Sequence, residues 1–245
     1  MERKTIRIGH LFPDLLNMYG DKGNVLALKN RLIWRNIDVE VIEFDIKDEI
    51  DFSALDIILL GGGADREQAL ICECLNTMKQ GLSDYVEAGG VMLALCGSYP
   101  MLGKNYQVQN ELVSGLGILE IDTEKTEKRQ IGDIIIRTEI FESDSLIVGF
   151  ENHSGKTYIG DLKPLGTVCH GYGNNGEDGS CGVVYKNLVG TYLHGPLLPK
   201  NPALTDYLLS CALRKKYGEE VKLSPLSNRA EEEAHDYIVK RFLKK

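Results

Sequence analysis

The sequence predicts an α/β fold: a largely parallel central sheet flanked by helices and extended by extra β-hairpin strands. Three observations predict it. Two short runs, 56–60 and 91–95, are almost unbroken in apolar residues, as strands buried on both faces are. Strand and helix patterns alternate up to about residue 100, in the order strand, helix, strand, strand, helix, strand, which implies right-handed crossovers between parallel neighbours. Both apolar runs stop abruptly at glycine or small residues, and in such sheets ligands sit beyond those carboxyl ends.

The elements follow in order. Ile6 to Phe12 alternates and then turns apolar, as an opening strand, and Pro13-Asp14 breaks it. A polar, glycine-bearing connection, Asn17 to Asn24, leads to a helix over Val25 to Arg35, with Asn24 as its expected cap. Asp38 to Phe44 alternates as a second strand; Asp56 to Leu60 is the third and ends in Gly61-Gly62-Gly63. Arg66 to Glu87 has helical periodicity and is expected in two pieces, hinged near Gly81 or capped by Ser83. Gly89-Gly90 stops it, and the strand Val91 to Leu95 runs into Cys96.

Residues 104–130 are polar and contain a charge cluster at 124–129. Ile131 to Thr138 and Leu146 to Glu151 read as strands, with a polar turn expected at Asn152 to Tyr158. Gly171 to Gly182 reads as a loop rich in glycine and asparagine. Val183 to Tyr185 and Leu188 to Leu193 read as a hairpin that ends at His194-Gly195-Pro196, and helices over Ala203 to Tyr217 and Ala230 to Leu243 close the chain. With no repeat, low-complexity tract or linker, one domain over residues 1–245 is expected.

Composition narrows the function. A formal charge of −8 argues against a nucleic-acid or anionic-membrane partner. No apolar run is long enough to span a bilayer. The first residues lack the apolar core of a secretion signal, so the chain is expected to be cytoplasmic and its six cysteines reduced. No cysteine pair forms C-x-x-C, which leaves neither a zinc site nor a thioredoxin motif, and no metal site is expected.

Two residues carry the chemistry. Ala94 and Ser98 flank Cys96 at the spacing of a nucleophile elbow, a tight strand-to-helix turn that lifts one side chain above the sheet and demands small neighbours. Amides at the following helix N-terminus favour the thiolate. The alternative is a buried structural cysteine acting as a small hydrophobe. His194 ends a strand and precedes glycine just as Cys96 does, so the two form a candidate nucleophile and base at one sheet edge. His153 is the competing base. Gly62, Gly63 and the Gly97 amide are candidate donors of an oxyanion hole, since glycines allow close backbone approach to a developing negative oxygen.

Together, the elbow Leu95 to Tyr99, the glycine loop 61–63 and the late Tyr192-Leu193-His194-Gly195 resemble a class I (triad) glutamine amidotransferase with its flavodoxin-like fold, most closely the cobyric-acid-synthase branch. Within that branch the strings 17–24, 61–68, 149–153, 171–175 and 192–196 resemble the glutaminase subunits of lipid II isoglutaminyl synthases, the GatD family. The resemblance implies that Cys96 attacks the side-chain amide of L-glutamine while His194 shuttles the proton. It places Arg129 where this family carries a substrate-binding arginine. Read from the sequence alone, Arg129 is a solvated member of a charge run. Tyr19, Asp65, Arg66 and Gln68 are further candidates for shaping the pocket or the partner contact.

The resemblance also implies a partner, a Mur-ligase-like subunit (MurT) in a heterodimer that activates the D-glutamate α-carboxyl of lipid II. ATP and magnesium are expected on that partner, since this chain has no P-loop string and no cofactor of its own is expected. Two positions depart from the branch. Pro100 stands where glutamine is usual, and Pro196 where a carboxylate usually follows the histidine. Either the site works as a Cys–His dyad or an acid arrives from elsewhere, and the expected source of that acid is the partner subunit. Two other readings remain: a glutaminase serving another carboxylate acceptor of the cobyric-acid type, and a non-catalytic scaffold of the same fold.

Overall fold

A computed structural model describes residues 3–108, 111–141 and 145–243. The chain opens with β1 (Thr5–Leu11), α1 (Lys22–Ile33), β2 (Asp38–Phe44), β3 (Ile57–Leu60), α2 (Asp65–Thr77), α3 (Lys79–Glu87), β4 (Val91–Leu95) and the single turn α4 (Ser98–Met101). It continues through β5 (Asn105–Val108), β6 (Glu111–Ser114), β7 (Asp122–Thr138), β8 (Ser145–Tyr158), β9 (Gly166–His170), β10 (Ser180–Cys181), β11 (Val183–Tyr185) and β12 (Leu188–Thr191). The helices α5 (Pro202–Tyr217) and α6 (Arg229–Phe242) end it.

The central sheet runs β11-β12-β4-β3-β1-β2 and is parallel except for β11, which forms the expected hairpin with β12. Its middle strands β3 and β4 are buried at every residue, so the apolar runs mark strands covered on both faces. Residues in β4 and β12 are level with one another, Thr191 opposite Leu95, so the chain leaves both strands on the same edge.

A second sheet, β10-β9-β7-β5-β6 with β8 paired to β7, was not expected from the polar stretch 104–130. The first half of β7 is a run of mostly exposed, charged residues without clean alternation, which hides the strand in a composition reading. The turn expected at Asn152 to Tyr158 is instead the second half of β8, paired to β7 across a register shift between Lys125 and Gln130. The two sheets share their cores. Leu60 and Met92 pack in one cluster with Tyr106, Ile121 and Ile159, and Leu93 packs in another with Ile134, Ile136 and Ile147.

Two local expectations are corrected. The break in the long helical stretch falls at Met78 rather than Gly81, which lies inside α3 and packs closely on Phe52, where a methyl would stand 3.1 Å from the ring. Asn24 lies in the first turn of α1 and does not cap it; its Oδ1 accepts the Leu198 amide at 2.8 Å, tying α1 to the chain that follows His194. No helix among the described residues is long and apolar enough to cross a membrane.

Candidate active site

Cys96 follows β4 with φ +51°, a left-handed conformation that costs a non-glycine residue on the order of 1–3 kcal/mol. Its amide donates to the Thr191 carbonyl of β12 at 2.8 Å and its carbonyl accepts from Tyr99 at 3.1 Å, so hydrogen bonds on both sides hold the elbow. Ser98 and Ala94, the small neighbours, are fully buried, and Ser98 Oγ donates to the Gly61 carbonyl at 2.5 Å. Elbow and glycine loop are thus stitched together.

The glycine loop lies directly against the nucleophile. A Cβ on Gly62 would stand 2.9 Å from Cys96 Cβ and 3.6 Å from Sγ. A Cβ on Gly97 would collide with the Gln68 amide at 2.0 Å, and that amide donates to the Gly63 carbonyl at 2.6 Å. One member of the expected oxyanion set is already engaged: the Gly62 N–H donates to Asp21 Oδ2 at 2.9 Å. Gly63 and Gly97 are the remaining backbone donors of that set. Asp21 is fully buried, and burial pushes its carboxyl up to about 6 despite the Gly62 bond.

The Cys96 thiol opens on a cavity of about 660 Å³. Arg129 forms part of its wall, because the register shift in β7 turns this residue out of the pleat and toward the cleft. Its Nε donates to Asn152 Oδ1. The charge run of the sequence therefore contains one arginine aimed at the pocket. Gln68, Arg66 and Pro100 also line it; the side chain of Asp65 lies outside the described residues.

His194 stands on the same sheet edge as Cys96 and is held by a two-way backbone bridge with Phe150, at 2.9 and 3.1 Å. It is 0% exposed and does not line the cavity. The Tyr19 ring stacks on the imidazole with centroids 3.6 Å apart at 17°. Neither ring nitrogen has a hydrogen-bond partner among the described residues. Burial, aided by His153 and Lys200, pushes the imidazole down to about 4, so the ring is neutral at pH 7. Where the carboxylate of a full triad would follow, Pro196 packs on Gly23 of α1; a Cβ on Gly23 would stand 2.6 Å from its ring.

Sequence reasoning named His153 as the competing base but missed the buried acid behind it. Glu151, 0% exposed, accepts the Tyr172 and Gly173 amides at 2.6 and 3.0 Å, and its Oε2 lies 3.5 Å from His153 Nε2. His153 lines the cavity, stacks on Tyr192 at 3.7 Å and meets the Gly155 carbonyl through Nδ1 at 2.8 Å. Their spacing of two puts both on one face of a strand, a signal that a turn assignment discards.

Comparison with known proteins agrees with this architecture. The profile of the CobB/CobQ-like glutamine amidotransferase domain matches residues 7–202. The lipid II isoglutaminyl synthase (glutamine-hydrolyzing) subunit GatD of Staphylococcus aureus (strain N315) is 45% identical over 237 residues, covering 96% of each chain. Its namesake from Streptococcus pneumoniae (strain ATCC BAA-255 / R6) is 40% identical and covers 89% of this chain and 84% of its own. A probable cobyric acid synthase of Methanococcus maripaludis (strain C6) is 30% identical over 73% of this chain but only 38% of its own.

Two solved structures share the fold at low identity. A crystal structure of a glutamine amidotransferase matches with TM-score 0.54 and 18% identity, over 84% of this chain and 98% of its own. The glutaminase domain of Trypanosoma brucei CTPS with bound acivicin matches with TM-score 0.52 and 14% identity, over 89% and 98%. A strained cysteine elbow under a glycine loop, in a chain matched along nearly its whole length by such relatives, leads to one assignment: the chain belongs to the CobB/CobQ-like glutamine amidotransferase domain family.

Proposed function

We propose that this chain is the cytoplasmic glutaminase subunit of a lipid II isoglutaminyl synthase, acting through Cys96 and His194 as one domain over its whole length. The observation that carries the reading is the Cys96 elbow, strained to φ +51° and opening on the cavity that Arg129 also walls. Arg129 holds the glutamine α-carboxylate in a charge-assisted bond. Cys96 Sγ attacks the side-chain amide carbon, and the Gly63 and Gly97 amides receive the developing oxyanion. His194 takes the thiol proton and returns it to the departing nitrogen, which leaves as ammonia. Water then cleaves the thioester to glutamate and restores the thiol.

The ammonia passes to a Mur-ligase-like partner of the MurT type. That partner would hold the ATP and magnesium that activate the D-glutamate α-carboxyl of lipid II, which the ammonia would convert to D-isoglutamine. The GatD names of the relatives support this acceptor. The unpartnered nitrogens of His194 support an orienting acid supplied in trans. Co-purified with such a partner, the chain is expected to release glutamate and ammonia from L-glutamine and to amidate lipid II when ATP is added. Cys96→Ala is expected to abolish both. Glutamate release that survives in Cys96→Ala refutes the mechanism, and release without lipid II amidation refutes the acceptor.

A further inference from the structure

Tyr19 belongs to the polar string 17–24, which the chemistry above leaves without a task. The string is built rigidly around the site. Gly20 turns it with φ +74°, Lys22 N–H donates to Asn17 Oδ1 at 3.0 Å, and Met18 N–H donates to the Gly62 carbonyl at 3.1 Å. Asp21 takes the other side of the same glycine through its N–H. Tyr19 projects from this platform between two parts of the reaction centre. Its ring covers one face of His194, and it walls the cavity beside Arg129 and Asn152, which interact electrostatically with its hydroxyl and are themselves bonded to one another.

We propose that Tyr19 is a positioning residue with two separable tasks: its ring fixes the plane of the His194 imidazole, and its hydroxyl fixes the Arg129 guanidinium that receives the substrate carboxylate. This rests on the glutaminase reading above. The physical need for the first task is plain in the site. A base usually takes its orientation from an acid at its second nitrogen. Here both nitrogens lack a partner among the described residues, and Phe150 meets the imidazole only at a tilt, with centroids 5.7 Å apart. The Tyr19 stack is the closest ring contact of the imidazole among the described residues. The second task follows from the hydroxyl. Arg129 leaves an exposed strand face, and a long side chain there loses conformational freedom when it grips a carboxylate. Contact with Tyr19 and Asn152 orders it before substrate arrives.

The two tasks separate in two variants. Tyr19→Phe keeps the ring and loses the hydroxyl; in complex with the partner it is expected to hold kcat within about twofold while raising KM for glutamine roughly fivefold, the worth of one charge-assisted contact at a partly exposed site. Tyr19→Leu loses the ring and is expected to lower kcat about tenfold or more, the rate equivalent of a lost aromatic stack. Wild-type kcat in Tyr19→Leu overturns the proposal, and so does a Tyr19→Phe kcat as low as that of Tyr19→Leu. A readout independent of turnover judges Tyr19 even if the glutaminase reading fails. In the free chain the His194 ring protons are expected upfield of ordinary histidine positions in wild type and Tyr19→Phe, and shifted downfield in Tyr19→Leu. His194 ring signals unchanged by Tyr19→Leu overturn the stack, whereas a wild-type complex with no Cys96-dependent glutamate release counts against the function alone.

Discussion

Asp21 binds the glycine loop and His194 follows the end of β12; both are buried, and burial drives their titrations in opposite directions. The Asp21 carboxyl is raised to about 6, so the folded chain binds a proton more readily than the unfolded one, and stability from this group is gained as pH falls from about 6 toward the ordinary carboxylate value. The His194 imidazole is lowered to about 4, so the unfolded chain takes up its proton first, and stability is lost as pH falls from about 6.5 to 4. The two slopes oppose one another in nearly the same window. Replacing Asp21 with Asn keeps an acceptor for the Gly62 amide and removes one slope. Relative to wild type, Asp21→Asn is expected to lose on the order of 3 kcal/mol more stability at pH 4 than at pH 7. Urea unfolding of both proteins across that range checks it, and a difference independent of pH rules out a raised Asp21.

At the scale of elements, α1 is the part that holds the string 17–24 in place. It is anchored to α5 by one carboxylate. Asp206 accepts from Arg31 Nε at 2.7 Å and Nη2 at 2.6 Å, and from Arg35 Nη1 at 3.1 Å and Nη2 at 2.7 Å. The two arginine side chains are 4% and 2% exposed, and Asp206 is the carboxylate they share, beside Glu231 4.0 Å from Arg31 and the Ser224 carbonyl that accepts from Arg35. Removing one member of a buried ion network leaves the others charged and unpaired. Asp206→Ala is therefore expected to destabilise the chain by about 3 kcal/mol. Chemical denaturation measures it, and a cost under about 1 kcal/mol, the worth of a surface pair, contradicts the anchoring role. A second element-scale lesson concerns β8. Its alternation places Glu151 and His153 inward, yet the polar string Asn152 to Tyr158 reads as a turn, because local composition does not reveal that β7 lies alongside to pair with it.

For the whole molecule, the question is how a buried, neutral His194 is brought into action. In the proposed heterodimer the partner supplies an acid to one of its unpartnered nitrogens. An opposite charge within hydrogen-bond reach favours the protonated ring, so partner binding is expected to raise the His194 titration by about one unit or more. Labelled-histidine NMR on the free chain and on the complex measures the shift. The free chain is expected to titrate near 4, where desolvation together with His153 and Lys200 holds it. An unchanged His194 titration in the complex argues against an acid in trans.

The sequence by itself determined the parallel sheet, the elbow at Cys96, its pairing with a strand that ends near His194, and the family, because each is written in short local patterns: unbroken apolar runs, small residues around one cysteine, glycine after a strand. Only the tertiary structure decided that Asp21 occupies the Gly62 amide, that Tyr19 lies across His194, and that the bulge in β7 turns Arg129 from a solvated charge run into the pocket wall. The physical reason is distance along the chain. These contacts join residues up to 175 positions apart through packing and desolvation, and neither leaves a periodic trace in the residues on either side.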